Sequence, residues 1–445
     1  MFTLLAYAMV LVFMTIIMTK RLSPLTALIL VPIAFGVAGG FASSLGDMIV
    51  SGITKLAPTS VMLMFAILYF AVMIDAGLFE PFVQRLVALV HGDPVKVVSG
   101  TAALALLVSL DGDGSTTYMI TTAAMLPLYR KLGMRPLVLA CVTMLAGGVM
   151  NILPWGGPTA RAASALSIDV STVFIPLIPA MAGGALWVLF VAYRLGLRER
   201  ERLTAAIHAT KESAGAVPVL QNEMANPQYH EDTSHRRPDR LIGNVILTMA
   251  LLVALIMAVL PLPALFMVSF AIALMLNYPS LDQQKALIAR HAGNVLSVVG
   301  LIFAACVFTG IVSGTKMVDA IADSVVQLVP VAFGPHLAIV TSMLSVPFTF
   351  LISNDAFYFG VLPILAKAGE AYGITAAEMA RASLVGQPVH LLSPLVPSTF
   401  LLVGLAGVDF DDHQRFTMKW ALGSTLVLLA IGLATLVIPF AVRAP

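Results

Sequence analysis

Two short polar stretches interrupt an otherwise apolar chain, and they hold most of the residues that could do chemistry. The first, Ser109-Leu-Asp-Gly-Asp-Gly-Ser-Thr-Thr117, offers the carboxylates of Asp111 and Asp113 and the hydroxyls of Ser115, Thr116 and Thr117. The second, Leu351-Ile-Ser-Asn-Asp-Ala-Phe357, offers Ser353, Asn354 and Asp355. Carboxylates, hydroxyls and amide oxygens are what hard divalent cations prefer, and a carboxylate in an apolar surrounding can also carry a proton. A Pro/Gly-rich break follows each stretch. Asn151-Ile-Leu-Pro-Trp-Gly-Gly-Pro-Thr-Ala-Arg161 contains Asn151, Gly156, Gly157, Thr159 and Arg161, and Gln387-Pro-Val-His-Leu-Leu-Ser-Pro-Leu-Val-Pro-Ser-Thr399 contains His390, Ser398 and Thr399. Helices that restart after such breaks present unpaired N–H groups and a positive dipole end, which suits an anion. Arg161 would add a full charge, and His390 is a further candidate for proton coupling.

The elements that must hold these residues are set by composition. Of the 445 residues 59% are apolar and 11% charged, and the mean hydropathy is +0.96, far from soluble averages. Long, nearly uncharged runs recur at 2–19, 24–41, 59–79, 136–153, 172–193, 241–260, 295–313, 382–406 and 420–442, with a shorter one at 262–277, and they read as membrane-spanning helices. Lys20 and Arg21 follow the first run rather than precede it, so it reads as a retained helix and not as a cleaved signal. Cys141 and Cys306 both lie inside apolar runs and suggest neither a disulfide nor a metal site. Asp75 and Glu80 read as marking a helix end.

The hydrophilic stretch 194–240 divides the chain and reads as a solvated linker between a first repeat, 1–193, and a second, 241–445. The halves align loosely: Leu68-Tyr-Phe-Ala with Leu301-Ile-Phe-Ala, Gly77 with Gly310, Leu126-Pro127 with Leu362-Pro363, Pro158-Thr159 with Pro397-Ser398. Five spans per half make the repeats inverted. With the linker inside the cell, nineteen of the 25 Lys and Arg fall on the inner side, which supports a cytoplasmic linker and both termini outside. That count requires 97–130 and 334–366 to be re-entrant hairpins whose tips face a site, each followed by a broken helix, at 136–165 and 381–406. The fold expectation is therefore an all-α polytopic membrane protein of two inverted repeats.

Other chemistries lack their signatures. There is no Gly-x-x-x-x-Gly-Lys-Ser/Thr loop, no His-Glu-x-x-His, no Gly-x-Gly-Asp and no Tyr-Asp pair, so neither ATP-driven transport nor intramembrane proteolysis is indicated, and the chain does not read as an enzyme. A channel shares the hairpin architecture; saturable, proton-dependent uptake separates a carrier from it.

Across essentially its full length the chain resembles the citrate–divalent metal:proton symporter family, and more distantly the wider ion transporter superfamily with paired hairpins. The carrying segments are Ser109–Met119, Leu153-Pro-Trp-Gly-Gly-Pro-Thr-Ala-Arg161 and Phe350-Leu-Ile-Ser-Asn-Asp-Ala-Phe-Tyr-Phe-Gly360. The resemblance implies proton-driven uptake of citrate complexed with Mg2+, Ca2+ or a similar metal, in the cytoplasmic (inner) membrane, with no permanently bound cofactor and no nucleic-acid partner; from the superfamily alone it implies a homodimer. Related sodium-coupled carriers use Ser-Asn-Thr hairpin tips, whereas here Asp111 and Asp113 stand at the first tip and Asp355 follows Ser353-Asn354 at the second. A bare trivalent citrate is repelled by such carboxylates, whereas a metal complex exposes a cation. Asp111, Asp113 and Asp355 are thus candidate metal ligands, with Asp113, Asp355 and His390 as candidate proton carriers. The remaining residues named above are candidates to hold the citrate carboxylates. A proton- or sodium-coupled carrier of another di- or tricarboxylate is the alternative.

Overall fold

The structure, a computed structural model, describes residues 2–89, 92–112, 114–212, 236–257, 259–328 and 333–442. Those residues contain helices and no strand. The first half runs α1 (Phe2–Met18), α2 (Pro24–Ala38), α3 (Leu45–Asp75), α4 (Glu80–Leu89), α5 (Pro94–Val108), α6 (Gly114–Lys131), α7 (Pro136–Met150), α8 (Gly157–Leu166) and α9 (Val170–Glu212). The second half runs α10 (Leu241–Ile256), α11 (Leu262–Asn277), α12 (Leu281–Gly314), α13 (Met317–Leu328), α14 (Leu337–Leu351), a π-helical turn at Ala356–Val361 leading into α15 (Leu362–Glu370), α16 (Ala376–Ser383) with α17 (Gln387–His390), α18 (Pro397–Ala406) and α19 (Phe410–Ala434). Among the described residues, seven helices are long and apolar enough to cross a bilayer, and five shorter ones are apolar.

Several expected limits move. α3 and α12 each begin 14 residues before the apolar runs at 59–79 and 295–313, because Asp47, Lys55, Asp282 and Arg290 interrupt hydropathy but not helix geometry. The run 420–442 is displaced to Phe410–Ala434. The linker reading also changes. Its first part, through Glu212, continues α9, while 213–235 lies outside the described residues. The charges there do not break the helix because they are paired: Glu199, fully buried, accepts from the Arg135 backbone N–H at 3.1 Å and Nε at 2.6 Å, and from Arg202 at 2.9 Å. At the far end Arg236 meets Glu80, and Arg237 lies 5.0 Å over the Tyr278 ring. α4 and α13, short amphipathic helices that no apolar run announces, occupy equivalent places before the two hairpins. Asp75 and Glu80 do flank a helix end, as the last residue of α3 and the first of α4.

The equivalences also shift by a few residues. α3 ends at Asp75 and α12 at Gly314, so Gly77 corresponds to Lys316, both at positive φ, and not to Gly310. Gly310 instead meets Gly52 where α3 and α12 cross. A Cβ on either would collide with a carbonyl of the other helix, at Cys306 or Met48. These two helices pack lengthwise, with α2 against α12 and α11 against α3.

The hairpins face opposite ways. Both ends of α5–α6 lie against one end of α9: Asp93 bonds Arg200 at 2.7 Å, and the Gly133 carbonyl accepts from Arg202 at 2.6 Å. Both ends of α14–α15 lie together at Gly334 and Tyr372, beside the end of α19, where Val442 N–H donates to the Pro335 carbonyl at 3.1 Å. α9 and α19 are antiparallel neighbours. Trp187 touches Gly423 and Gly183 touches Ile431, while Arg381 bridges the Thr172 and Val437 carbonyls.

Candidate substrate site

Each hairpin tip is tied to the helix break of its own repeat. In the first, the chain leaves α5 through a single 3-10 turn, Ser109–Asp111, and reverses at Gly112, whose φ of +79° a side chain tolerates poorly. Trp155 from the break lies over that glycine, and its Nε1–H donates to the Leu110 carbonyl at 2.9 Å. In the second, Ser393 Oγ donates to the Phe350 carbonyl and His390 Nδ1–H to the Thr349 carbonyl, both at 2.6 Å. Ser353 accepts from the Ala356 N–H at 3.2 Å and starts the returning arm.

The breaks themselves are sewn alike. The α8 and α18 helices are the same length, and each ends in a left-handed residue, Ser167 or Gly407, before an Asp N-cap, Asp169 or Asp409. Register therefore pairs Thr159 with Thr399, rather than with Ser398. Thr159 Oγ1 donates to the Ile152 carbonyl at 2.7 Å, and Thr399 Oγ1 donates to the Leu391 carbonyl. A hydroxyl thus satisfies a carbonyl that each interrupted helix leaves open. The N-caps, Gly156 and Val396, make no side-chain cap; a proline in the first turn of each helix removes one N–H, and in α18 the Thr399 N–H turns back to the Val396 carbonyl at 3.3 Å, which leaves fewer first-turn N–H groups to an outside partner there.

Each hairpin's returning arm leans on the restarted helix of the other repeat. A Cβ on Gly114 of α6 would sit 3.7 Å from Ser398 Oγ of α18, and Arg161 of α8 donates from Nε to Asp355 at the second tip at 2.6 Å. The Arg161 guanidinium folds back over Gly157 at the α8 N-terminus, so close that a Cβ there would sit 2.7 Å from it. The broken helices touch each other at Gly148 and Pro388. Beside that crossing a buried amide, Gln387, joins three elements. Its Oε1 accepts from Asn151 Nδ2 at 3.3 Å; its Nε2 donates to the Tyr358 hydroxyl at 2.8 Å and to Asn354 Oδ1 at 3.4 Å.

The expected residues accordingly fall into two groups. Ser115, Thr116, Asn151, Gly157, Arg161, Ser353, Asn354, Asp355 and Ser398 are half-buried, and the described structure brings together Asn151 with Asn354, Arg161 with Asp355, and α6 with Ser398. Thr117, Gly156, Thr159, Thr399 and His390 are buried and engaged in internal bonds or tight turns. Asp111 is buried beneath the first tip, and Asp113 lies outside the described residues. Asp355, expected as a metal ligand, and Arg161, expected on the substrate, pair with each other here. Sequence reasoning missed Gln387 as a connecting residue. Its one signal was a polar side chain opening the second break.

Paired hairpins entering from opposite ends, paired helix breaks and half-buried polar groups where they meet are the arrangement in which membrane transporters build a substrate site. A family model described as "Citrate transporter" (CitMHS) matches residues 13–386, and the chain belongs to that family. It is 56% identical over 99% of its length to the "Citrate transporter" of Bacillus subtilis (strain 168), spanning all of that protein. It is 51% identical over 97% of its length to the same organism's "Mg(2+)/citrate complex secondary transporter", spanning 98% of it. Among solved structures, the YdaH transporter of Alcanivorax borkumensis, described as having an unusual topology, superposes with a TM-score of 0.53 over 90% of each chain at 14% identity, a likeness of fold.

Proposed function

We propose that this transporter takes up citrate as its complex with a divalent metal of the Mg2+ or Ca2+ kind, in symport with protons. The observation that carries the reading is the Arg161–Asp355 pair, 2.6 Å apart with side chains only 21% and 14% exposed. A metal–citrate complex has carboxylates for Arg161 and a cation for Asp355, so it exchanges one internal ion pair for two external ones. A bare anion takes Arg161 and strands the Asp355 carboxylate, which is unfavourable in a partly desolvated place unless a proton neutralises it. Asp355 therefore stands at the meeting point of metal and proton, and Asp111, buried at the first tip, and Asp113, two positions further along the sequence, are the other oxygen donors of that kind. Ser115, Thr116, Ser398, Ser353, Asn354 and the α8 and α18 N–H groups supply the neutral contacts to the citrate.

Access alternates through motion of the hairpin-and-break unit, α5–α9 with α14–α19, against α1–α4 with α10–α13, in a cytoplasmic membrane with the 194–240 segment inside and both termini outside. The two breaks are unequally covered, which fits one end state of such a motion: Trp155 packs on Phe70 and Phe266, centroids 5.1 Å away in each case, whereas its counterpart Leu395 is 41% exposed.

The test is uptake of radiolabelled citrate into proteoliposomes under an inward proton gradient, with Mg2+ or Ca2+ and then with a non-transported chelator. Uptake needing both metal and gradient is expected. Uptake indifferent to metal moves the assignment to a free di- or tricarboxylate carrier.

A further inference from the structure

We propose that Gln387 is a positioning residue that orients two substrate-facing amides in opposite senses, and thereby selects a ligand with both a cation and a carboxylate. This rests on the metal–citrate reading. The polarity of the network follows from one fixed acceptor. The Ser383 backbone carbonyl can only accept, and the Tyr358 hydroxyl points to it at 3.5 Å, so the Tyr358 oxygen receives its other bond from Gln387 Nε2 at 2.8 Å. With Nε2 placed, the second N–H of the same group reaches Asn354 Oδ1 at 3.4 Å, and Gln387 Oε1 is left to accept from Asn151 Nδ2 at 3.3 Å. Gln387 and Tyr358 are both fully buried, so these bonds have no competition from water.

The consequence appears at the half-buried ends. Asn151 has committed its amide nitrogen inward and keeps Oδ1 for the ligand, a neutral oxygen suited to a hard cation. Asn354 has committed its oxygen inward and keeps Nδ2, a donor suited to a carboxylate. The two asparagines belong to different repeats, one from the first break and one from the second hairpin tip, and Gln387 comes from the second break. One buried side chain thus joins three parts of the hairpin-and-break unit and sets which end of the complex each one reads. The close crossing at Gly148 and Pro388, the residue after Gln387, holds the backbone from which this side chain projects.

The experiment is calorimetric binding of citrate to the purified full-length protein, with Mg2+ and with Mg2+ removed, for wild type, Gln387→Met, Asn151→Ala, Asn354→Ala and the corresponding double variants. Gln387→Met keeps the volume and removes every bond. It is expected to weaken Mg2+–citrate binding about tenfold, with no further loss when Asn151→Ala or Asn354→Ala is added. Asn151→Ala alone is expected to narrow the gap between affinities with and without Mg2+, and Asn354→Ala to weaken both. Full additivity, or wild-type binding by Gln387→Met, overturns the proposal. Asn354→Asp serves should Gln387→Met fail to fold. It preserves the inward acceptor and places a carboxylate oxygen where the donor stood, so it is expected to bind citrate more weakly than Asn354→Ala; equal or tighter binding overturns the assigned orientation. Wild-type binding indifferent to Mg2+ would sink the metal-complex reading alone, since the coupling of Gln387 to Asn354 is still read from metal-free citrate.

Discussion

Substituting Asp355 by Asn separates the two halves of the proposed recognition. At 2.6 Å and an effective permittivity near 20, the attraction between the Arg161 and Asp355 charges is about 6 kcal/mol before desolvation is counted. Both groups are still reached by some solvent, so the net bond belongs with charged hydrogen bonds, about 1.5–3 kcal/mol. Any carboxylate that takes Arg161 must first displace Asp355. Asp355→Asn removes that competitor, and metal-free citrate is expected to gain roughly 10- to 100-fold in affinity, at about 1.4 kcal/mol per decade. The metal complex loses the partner for its cation and is expected to bind more weakly by a similar factor. The ratio of the two affinities therefore inverts rather than scales. The measurement is calorimetric titration of citrate in excess Mg2+ and in its absence, on wild type and variant that elute as single species. A parallel fall of both affinities, with the ratio preserved, would refute the exchange argument and leave the pair as a structural strut.

Other predictions concern how the site is held. Gly52→Leu forces a side chain into the Cys306 carbonyl at the α3–α12 crossing and is expected to abolish monodisperse elution, whereas Gly46→Leu, with open space around its Cα, is not. Gly112→Ala combines a φ of +79° with a collision against Trp155, and should lower stability by about 1–2 kcal/mol or more, read as a drop in the unfolding temperature. Glu199, fully buried, accepts from the Arg135 amide and guanidinium and from Arg202. Glu199→Ala takes that acceptor from all of them and should lower the unfolding temperature; an unchanged value refutes the pairing as a source of stability.

How much of this was legible beforehand differs by element. The tip at Asp111-Gly-Asp-Gly114 and both helix breaks announce themselves, because glycine and proline remove backbone hydrogen bonds within a few residues of where they stand. Their recurrence in two halves is what pointed to a hairpin and a broken helix in each. α4 and α13 were not legible, since their apolar faces are too narrow for a hydropathy window, and neither were the starts of α3 and α12 or the helical course of 194–212, where paired charges mimic a linker.

The sequence by itself determined the membrane-embedded, all-helical class and which polar groups stand at the chain's breaks, because each of these depends on local composition and local backbone geometry. Only the tertiary structure decided which of those groups are partners. Arg161 and Asp355 lie 194 positions apart, and Asn151 and Gln387 lie 236 apart. Bonds of that range arise where α8 meets the second tip and the two broken helices cross. Thr159 and Thr399, which look like ligand hydroxyls in the sequence, instead close the gaps that those breaks open in their own helices, since a buried carbonyl without a donor is costlier than a hydroxyl withheld from substrate.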